Sequence, residues 1–438
     1  MAVAPQRKRA ALHTLGCRLN QSETNLLAEK LQAAGYDLVP FDAPADLAIV
    51  NTCTVTQEAD AKSRKLVRQF LRRNPEAFTA VIGCYAQTGA EALAQIEGID
   101  LIVGNQEKLN VLDHVRAQKN ATPLIVRDKM DRDDFSIDFA GDREALTTRP
   151  NLKVQDGCDF MCSFCIIPFA RGRARSRNME NLLDEARSLV ERGGRELVLT
   201  GVNIGTYAFD GQGILDVVDR LNEIDGLDRI RISSIEPTTI PEALFERMND
   251  PDHALTPYLH IPLQAGSDSV LAAMRRKYTR DEFLEFVQRA HECVRDICIG
   301  TDILVGFPGE TEEDFEATCD ALWRSPLVYA HVFKYSEREG TASLRIREKV
   351  SPQAMSERSA RLRHISAEKR RMFEEHFLGC AVEVLFEQED QGYWSGHTAN
   401  FIKVAVASPQ PLHNQLSRVV LEQRRDGQVY GVLADGPR

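Results

Sequence analysis

Cys158, Cys162 and Cys165 stand in the segment GCDFMCSFC with C-x3-C-x2-C spacing. Three thiolates on one short loop can hold three corners of a [4Fe–4S] cube, leaving one iron open to a ligand that is not protein. Structural zinc sites usually close with four N or S ligands and draw on paired C-x2-C units. The chain places no fourth cysteine nearby, so the spacing favours a cluster over a zinc site or a loop of unrelated cysteines. Three further cysteines each follow an apolar run: HTLGC at Cys17, IVNTC at Cys53 and VIGC at Cys84. If those runs are parallel strands, their thiols can converge in the crevice beyond the carboxyl ends, where open α/β sheets bind ligands. A second three-cysteine cluster site is the expectation; position alone also fits scattered buried cysteines.

The elements that must position these groups read as α/β alternation. Strands are expected at 10–15, 46–51, 79–83 and 100–104, with helices at 22–34, 59–73 and 110–118. Residues 128–148 are polar and acidic and read as a linker. A second alternation follows, with strands at 152–155, 196–201, 229–234, 258–262, 300–305 and 330–335. Helices fit between them at 181–192, 214–223, 241–248, 269–276, 280–294 and 313–324. Six strand–helix units predict a partial (β/α)6 barrel, and the cysteine loop follows its first strand, at the end where βα-loops build active sites. Residues 351–377 form a basic, helix-compatible connector, and from Gly379 five short β-like runs predict a small antiparallel barrel. Tyr393, Trp394, Phe401 and Tyr430 could stack on bases there, though each one singly fits barrel core better.

At 438 residues the chain is long enough for two or three domains. A net charge of -11 argues against a protein that coats nucleic acid without specificity. Two basic runs depart from that balance: Lys62–Arg73, with six basic residues and no acid, and Arg171, Arg173, Arg175 and Arg177. Such runs are usually solvated faces, but the second adjoins the cysteine loop and could hold an anionic substrate. No apolar run reaches membrane-span length, and the start lacks the apolar core of a secretory signal. Ten cysteines without an export signal predict a reducing, cytoplasmic setting.

The six cysteines in these flanks give the chain a resemblance to the methylthiotransferases of the radical S-adenosylmethionine (SAM) superfamily. TLGCRLNQSET, NTCTVT, GCYAQ, DGCDFMCSFCIIPFARGRARS, LTGVNIGTY, SSIEP and GTDILVGFPGET resemble the branch that modifies N6-threonylcarbamoyladenosine in tRNA. The resemblance implies an N-terminal cluster domain (8–127), a radical-SAM core (144–374) and a C-terminal TRAM domain (375–438). It implies two [4Fe–4S] clusters, one on Cys158, Cys162 and Cys165 that chelates SAM and an auxiliary one on Cys17, Cys53 and Cys84. Phe164 would lie near the SAM adenine, and Gly193 and Gly194 would meet its methionine moiety. Thr200, Asn203, Ser234, Glu236, Gln264 and Gly306 are further implied cofactor contacts. Cys293, Cys298, Cys319 and Cys380 match no cluster motif and are expected to pack.

The implied partners are a tRNA anticodon loop, held by the Arg171–Arg177 run and the last domain, and a flavodoxin-like or ferredoxin-like electron donor. The implied reaction is methylthiolation at C2 of adenosine 37. That aromatic C–H is beyond side-chain acid–base chemistry, so cofactors must carry it. The competing expectations are a methylthiotransferase acting on another tRNA adenosine or on a ribosomal-protein side chain, and a noncatalytic metal protein that binds RNA.

Overall fold

The computed structural model describes residues 7–116, 118–139 and 147–434. Near the N-terminus, six parallel strands form one sheet: β1 (Arg9–Thr14), β2 (Asp37–Val39), β3 (Leu47–Thr52), β4 (Phe78–Gly83), β5 (Leu101–Val103) and β6 (Leu124–Val126). Their order is β2-β1-β3-β4-β5-β6. Helices α1 (Arg18–Ala33), α2 (Gln57–Arg73), α3 (Cys84–Thr88) and α4 (Ala90–Ala94) connect them. β3 and β4 are buried along their whole length, which is why they read as continuous apolar runs rather than alternating ones. The helix expected at 110–118 is a 3-10 segment, Lys108–His114, interrupted by non-helical geometry at Asn110. Buried Lys108 anchors that segment to Glu23 of α1.

The middle of the chain supplies β7 (Asn151–Lys153), β8 (Gln155–Asp156), β9 (Arg175–Ser176), β10 (Glu196–Thr200), β11 (Arg229–Ile232), β12 (Tyr258–His260), β13 (Cys298–Val305) and β14 (Tyr329–Lys334). β7-β10-β11 and β12-β13-β14 are parallel three-stranded sheets, joined by a parallel bridge between Ile230 and Leu255. Six parallel strands thus curve into an open barrel, while β8 pairs with β9 to close the base of the cysteine loop. After the short α5 (Ile167–Arg171), helices α6 (Met179–Glu191), α7 (Ile214–Asn222), α8 (Ala243–Asn249), α9 (Asp268–Ala273), α10 (Arg280–Cys293) and α11 (Glu312–Arg324) follow the strands. Period-two alternation divides the strands: Leu197, Leu199, Leu259, Ile299 and Ile303 enter the apolar core. Glu196, Arg231, His260, Asp302 and His331 take the opposite, concave face.

Helix α12 (Pro352–His376) starts with Ser351 as N-cap and Pro352 in its first turn, packs along β14 and leads into the last unit. There β15 (Ala381–Asp390), β16 (Tyr393–Thr398), β17 (Lys403–Ala407), β18 (Leu416–Arg425) and β19 (Gln428–Leu433) close a barrel in the order β15-β16-β17-β19-β18. It is not wholly antiparallel, because β17 and β19 run parallel. Arg229 and Arg231 of β11 fasten it from below, donating to the carbonyls of His397, Glu383 and Ala399 at 2.9–3.0 Å. Phe401 lies under Arg149 and Arg231, 5.6 and 5.0 Å from ring centroid to guanidinium, so this ring belongs to the interface. Trp394 packs against the small barrel's core, whereas Tyr393 is exposed, edge-on to Tyr430.

The expected linker is partly structured. Phe135 forms a bridge with Arg177, and Ile137 is buried; residues 140–146 lie outside the described set. Cys298 and Cys319 are buried as packing residues, but Cys293 and Cys380 are exposed. Among the described residues, no helix is long and apolar enough to cross a membrane.

Candidate functional site

Cys158, Cys162 and Cys165 occupy the loop between β8 and α5, beyond the carboxyl end of β7. Gly157 at φ +72° opens that loop; a Cβ there would lie 1.9 Å from the Arg173 carbonyl oxygen, so only glycine fits. The Ser163 amide donates to the Met274 carbonyl and its own carbonyl accepts from Ser343, pinning the loop to the barrel mouth. Arg276 donates to Cys162 Sγ at 3.2 Å and pairs with Glu236. Burial pushes the thiols up, Cys158 to about 11 and Cys165 to about 12. Such thiols stay protonated until a metal displaces the proton.

The second triad is built by sheet order. β1, β3 and β4 are adjacent parallel strands, and each is followed at its carboxyl end by one cysteine: Cys17, Cys53 and Cys84. Gly16, at φ +104°, passes so close that a Cβ would lie 2.7 Å from Cys53 Cβ. Asn105 places its amide 3.5 Å from Cys84 Sγ and 2.7 Å from the Ala170 carbonyl of α5. Burial also raises the Cys53 thiol, to about 11, and Cys84 and Cys17 add to the rise. Because α3, which begins at Cys84, packs on α5, which begins two residues past Cys165, both triads flank one boundary between sheet and barrel.

The donor sets fit clusters better than single ions. A tetrahedral zinc with ~2.3 Å bonds to sulfur would hold its thiolates about 3.8 Å apart. Among the described residues, only His260, Asp302 and His331 bring three candidate ligand atoms within 4.8 Å of one another; neither cysteine triad does.

Beneath the triads runs a buried charge network across the boundary. Arg171 of α5 donates to Asn20 at 2.5 Å, to Glu23 at 3.1 and 3.2 Å, and to Asp156 at 2.9 Å. Lys153 joins Glu23 and Asp156 at 2.9 and 2.6 Å, and Lys108 pairs with Glu23. Burial pushes the Glu23 carboxyl up, but Arg171, Lys108 and Lys153 outweigh it and hold Glu23 well below the usual range. Lys108 is lowered to about 8 by burial and by Arg171. With Arg175 counted, four cations face two carboxylates, and Arg171 also feels the charge of Cys84 and Cys17.

This network corrects one expectation about RNA. Arg171 is 1% exposed and Arg177 0%; Arg177 pairs with Glu185 and donates to Asn181. Arg175 is buried as well, leaving only Arg173 of that run in solvent. Of the acids that claim these guanidiniums, Glu23 lies 148 residues away, Glu185 is on the next helix and Asp156 precedes the cysteine loop, so a count of charges within the run could not see them. The exposed basic surface is elsewhere, along α2: Lys62, Lys65, Arg68, Arg72 and Arg73 are all exposed.

Gly193 and Gly194 are the second correction. They end α6, with Gly193 at φ +96° and amides bonded to Val190 and Leu189. They precede β10, at the barrel end opposite the cysteine loop, and the Gly193 carbonyl accepts from Asn414 of the small barrel at 2.6 Å. The true mouth position is the carboxyl end of β10. There the amides of Val202 and Asn203 donate to Gln155 at 2.9 and 3.0 Å, and the buried Asn203 Nδ2 has no hydrogen-bond partner. Ser234, Glu236 and Gln264 lie at the same rim, and Phe164 packs edge-on to Phe307 at 6.4 Å. Thr200 turns its hydroxyl back to Val198, and Gly306 abuts Met355 of α12, so both serve packing. A cavity of about 560 Å³ lies between α10 and α11, and neither triad lines it.

Residues 152–322 match the Radical SAM superfamily and residues 9–104 match "Uncharacterized protein family UPF0004". The chain is 34% identical to the threonylcarbamoyladenosine tRNA methylthiotransferase MtaB of Bacillus subtilis, covering 97% of each. It is 37% identical to MtaB of Aquifex aeolicus, over 87% of this chain and 94% of the relative. A tRNA-2-methylthio-N(6)-dimethylallyladenosine synthase of Jannaschia sp. is also 34% identical, over 98% and 95%. The chain belongs to the methylthiotransferase family of radical-SAM proteins. Among solved structures, the radical SAM methyltransferase TsrM of Kitasatospora setae shares the fold, with a TM-score of 0.54, 16% identity and 75% of each chain covered.

Proposed function

We propose that this chain is a tRNA methylthiotransferase that adds a methylthio group to C2 of N6-threonylcarbamoyladenosine at position 37. The observation that carries the reading is the pair of three-cysteine sites flanking one boundary in a chain 34–37% identical to enzymes of that name. In this reading residues 8–127 carry the auxiliary cluster, 144–374 the SAM-binding core and 375–438 a TRAM domain.

Cys158, Cys162 and Cys165 would hold one [4Fe–4S] cluster, and Cys17, Cys53 and Cys84 the other. When bound, the clusters and SAM supply the radical and sulfur chemistry that replaces an unactivated aromatic C–H by C–S. The chain's own residues hold and shield that chemistry. Arg276 donates to a ligand sulfur and Asn105 approaches another, which sets potential through hydrogen bonding. Phe164, Asn203, Ser234, Glu236 and Gln264 line the rim where SAM would sit. The Arg171 network fixes the sheet against the barrel, so one base can meet both triads. The target nucleotide must be unstacked to enter, which a single-stranded anticodon loop permits at low cost. Arg173 and the exposed α2 stripe would take its phosphates.

The test is the tRNA nucleoside profile of cells lacking the gene. Loss of the methylthio form with retention of N6-threonylcarbamoyladenosine supports the reading; an unchanged profile refutes it. The similarity to a dimethylallyladenosine enzyme favours one second reading, and loss of the methylthio-dimethylallyl nucleoside would establish that one instead. Anaerobic reconstitution should give about eight irons per chain.

A further inference from the structure

The concave face of β12, β13 and β14 carries a polar trio that no family motif singles out as a unit. Asp302 and His331 are direct partners in the β13–β14 register, and His260 lies on the neighbouring strand. Asp302 Oδ1 is 2.9 Å from His260 Nε2 and 3.5 Å from His331 Nδ1. His260 Nδ1 is 3.3 Å from the Tyr329 hydroxyl, which in turn is 2.6 Å from that of Tyr258. The His260 and His331 rings lie 5.1 Å apart at 31°. His260 is buried, but the His331 side chain is 58% exposed on the inner face, beside exposed Phe333. Both imidazoles meet the same oxygen, Asp302 Oδ1, and His331 Nε2 points away from that contact on an exposed side chain.

The trio is continuous with the mouth. The rim residue Gln264 donates its amide to the Asp302 carbonyl at 2.8 Å and Ile235 to the His260 carbonyl at 3.1 Å, while Glu236, next to Ile235, pairs with Arg276, which touches Cys162. A nucleobase presented to that loop would therefore bring its N6 substituent near this face. The two substituents named among the relatives differ in kind. Threonylcarbamoyl carries a carboxylate, a hydroxyl and a urea; dimethylallyl is a hydrocarbon. A charged, hydrogen-bonding wall suits the first, and it would be left with an unpaired polar group by the second.

We propose that His331, steered by Asp302 and backed by His260, is the specificity-determining residue that selects a carboxylate-bearing N6 substituent over an aliphatic one. The assignment rests on the tRNA reading above. Asp302 Oδ1 contacts both imidazoles, so it fixes the orientation of the His331 ring, and His331 stands between Asp302 and the solvent-facing side. His331 Nδ1 anchors the ring on Asp302, and Nε2 is the atom left to meet substrate. His331 touches substrate; Asp302 is a positioning residue.

The test uses reconstituted holoenzyme and anticodon stem-loops bearing either N6-threonylcarbamoyl- or N6-dimethylallyladenosine. Binding and methylthiolation are measured for the wild type, His331→Phe, His331→Gln and Asp302→Asn, with SAM cleavage without RNA alongside. For His331→Phe, kcat/KM on the threonylcarbamoyl RNA should fall roughly 10- to 100-fold, mostly in KM, which is the loss of one charge-assisted hydrogen bond. Its relative preference for the dimethylallyl RNA should rise, and His331→Gln should recover part of the loss. Asp302→Asn should weaken threonylcarbamoyl binding without raising that preference as far. Equal losses on both RNAs, or a matching loss of SAM cleavage, would mark a structural role and overturn the assignment. Stoichiometric zinc or manganese binding that disappears in His331→Phe would also overturn it, making the trio a metal site. Failure of the wild type on both RNAs would sink the underlying tRNA reading, and it would show before any variant is made.

Discussion

Replacing Arg171 by Met removes a guanidinium while keeping most of the side-chain volume. That guanidinium bonds Asn20, Glu23 and Asp156 in a boundary closed to water. Breaking a buried pair by removing one partner typically costs 3–5 kcal/mol. Lys108 and Lys153 remain to neutralise Glu23 and Asp156, which places the cost near the lower end, about 3 kcal/mol. That is roughly a 100-fold shift toward separation of sheet and barrel, at ~1.4 kcal/mol per decade. Amide hydrogen exchange reads the shift directly: α1 and α5 should lose about two decades of protection while β12–β14 keep theirs. Arg171→Lys should restore part of it. Unchanged protection in α1, or a uniform loss through the barrel, would refute the claim that this network holds the boundary.

Other perturbations separate the remaining claims. Lys65→Glu with Arg68→Glu should weaken tRNA binding and reduce its log–log salt slope by about two, whereas Arg175→Gln should leave the slope unchanged; filter binding across salt decides. Arg276→Gln removes a positive donor from Cys162 and should lower the reduction potential of a cluster held there, read by spectroscopic titration. Glu196 is fully buried and, despite that burial, is held near 2 by Arg231, Arg149 and Arg229. Its folded value is depressed below the ordinary glutamate value of 4.5, so its contribution, on the order of 3 kcal/mol, is present above that pH. It should be lost as pH falls from 4.5 toward 2. Urea unfolding across that range should show a steeper fall in stability for wild type than for Glu196→Gln, the other depressed carboxylates contributing equally to both. Cys53→Ala should halve iron content from about eight per chain to about four.

Much of this architecture was legible because its signals are local. Thr56, Thr279 and Thr311 cap α2, α10 and α11 where polar punctuation meets amphipathic runs. Cys17, Cys53 and Cys84 could be placed together because strand ends in a parallel sheet are neighbours by construction. The expected contact residues fared worse. Arg171 and Arg177 look like a phosphate-binding run until Glu23, 148 residues away, and Glu185 claim them. Gly193 and Gly194 resemble a cofactor loop, but the polarity of β10 puts them at the wrong end. Arg276, Asn105 and the trio of His260, Asp302 and His331 were missed because they meet the site only through tertiary folding. Period-two alternation on β12–β14 was the one available hint, since it puts polar groups on a single inner face.

The two cysteine triads differ in how far along the chain they must be gathered. Cys158, Cys162 and Cys165 lie within eight residues, so even an incompletely folded chain keeps them together. Cys17, Cys53 and Cys84 span 68 residues and meet only when β1, β3 and β4 stand in register. Closing long loops costs entropy that only completed strand pairing repays. Maturation therefore acquires a sequence: the barrel loop can seize iron early, whereas the sheet loops wait for the native topology. Iron supplied to a denaturant-weakened chain should load the former triad alone.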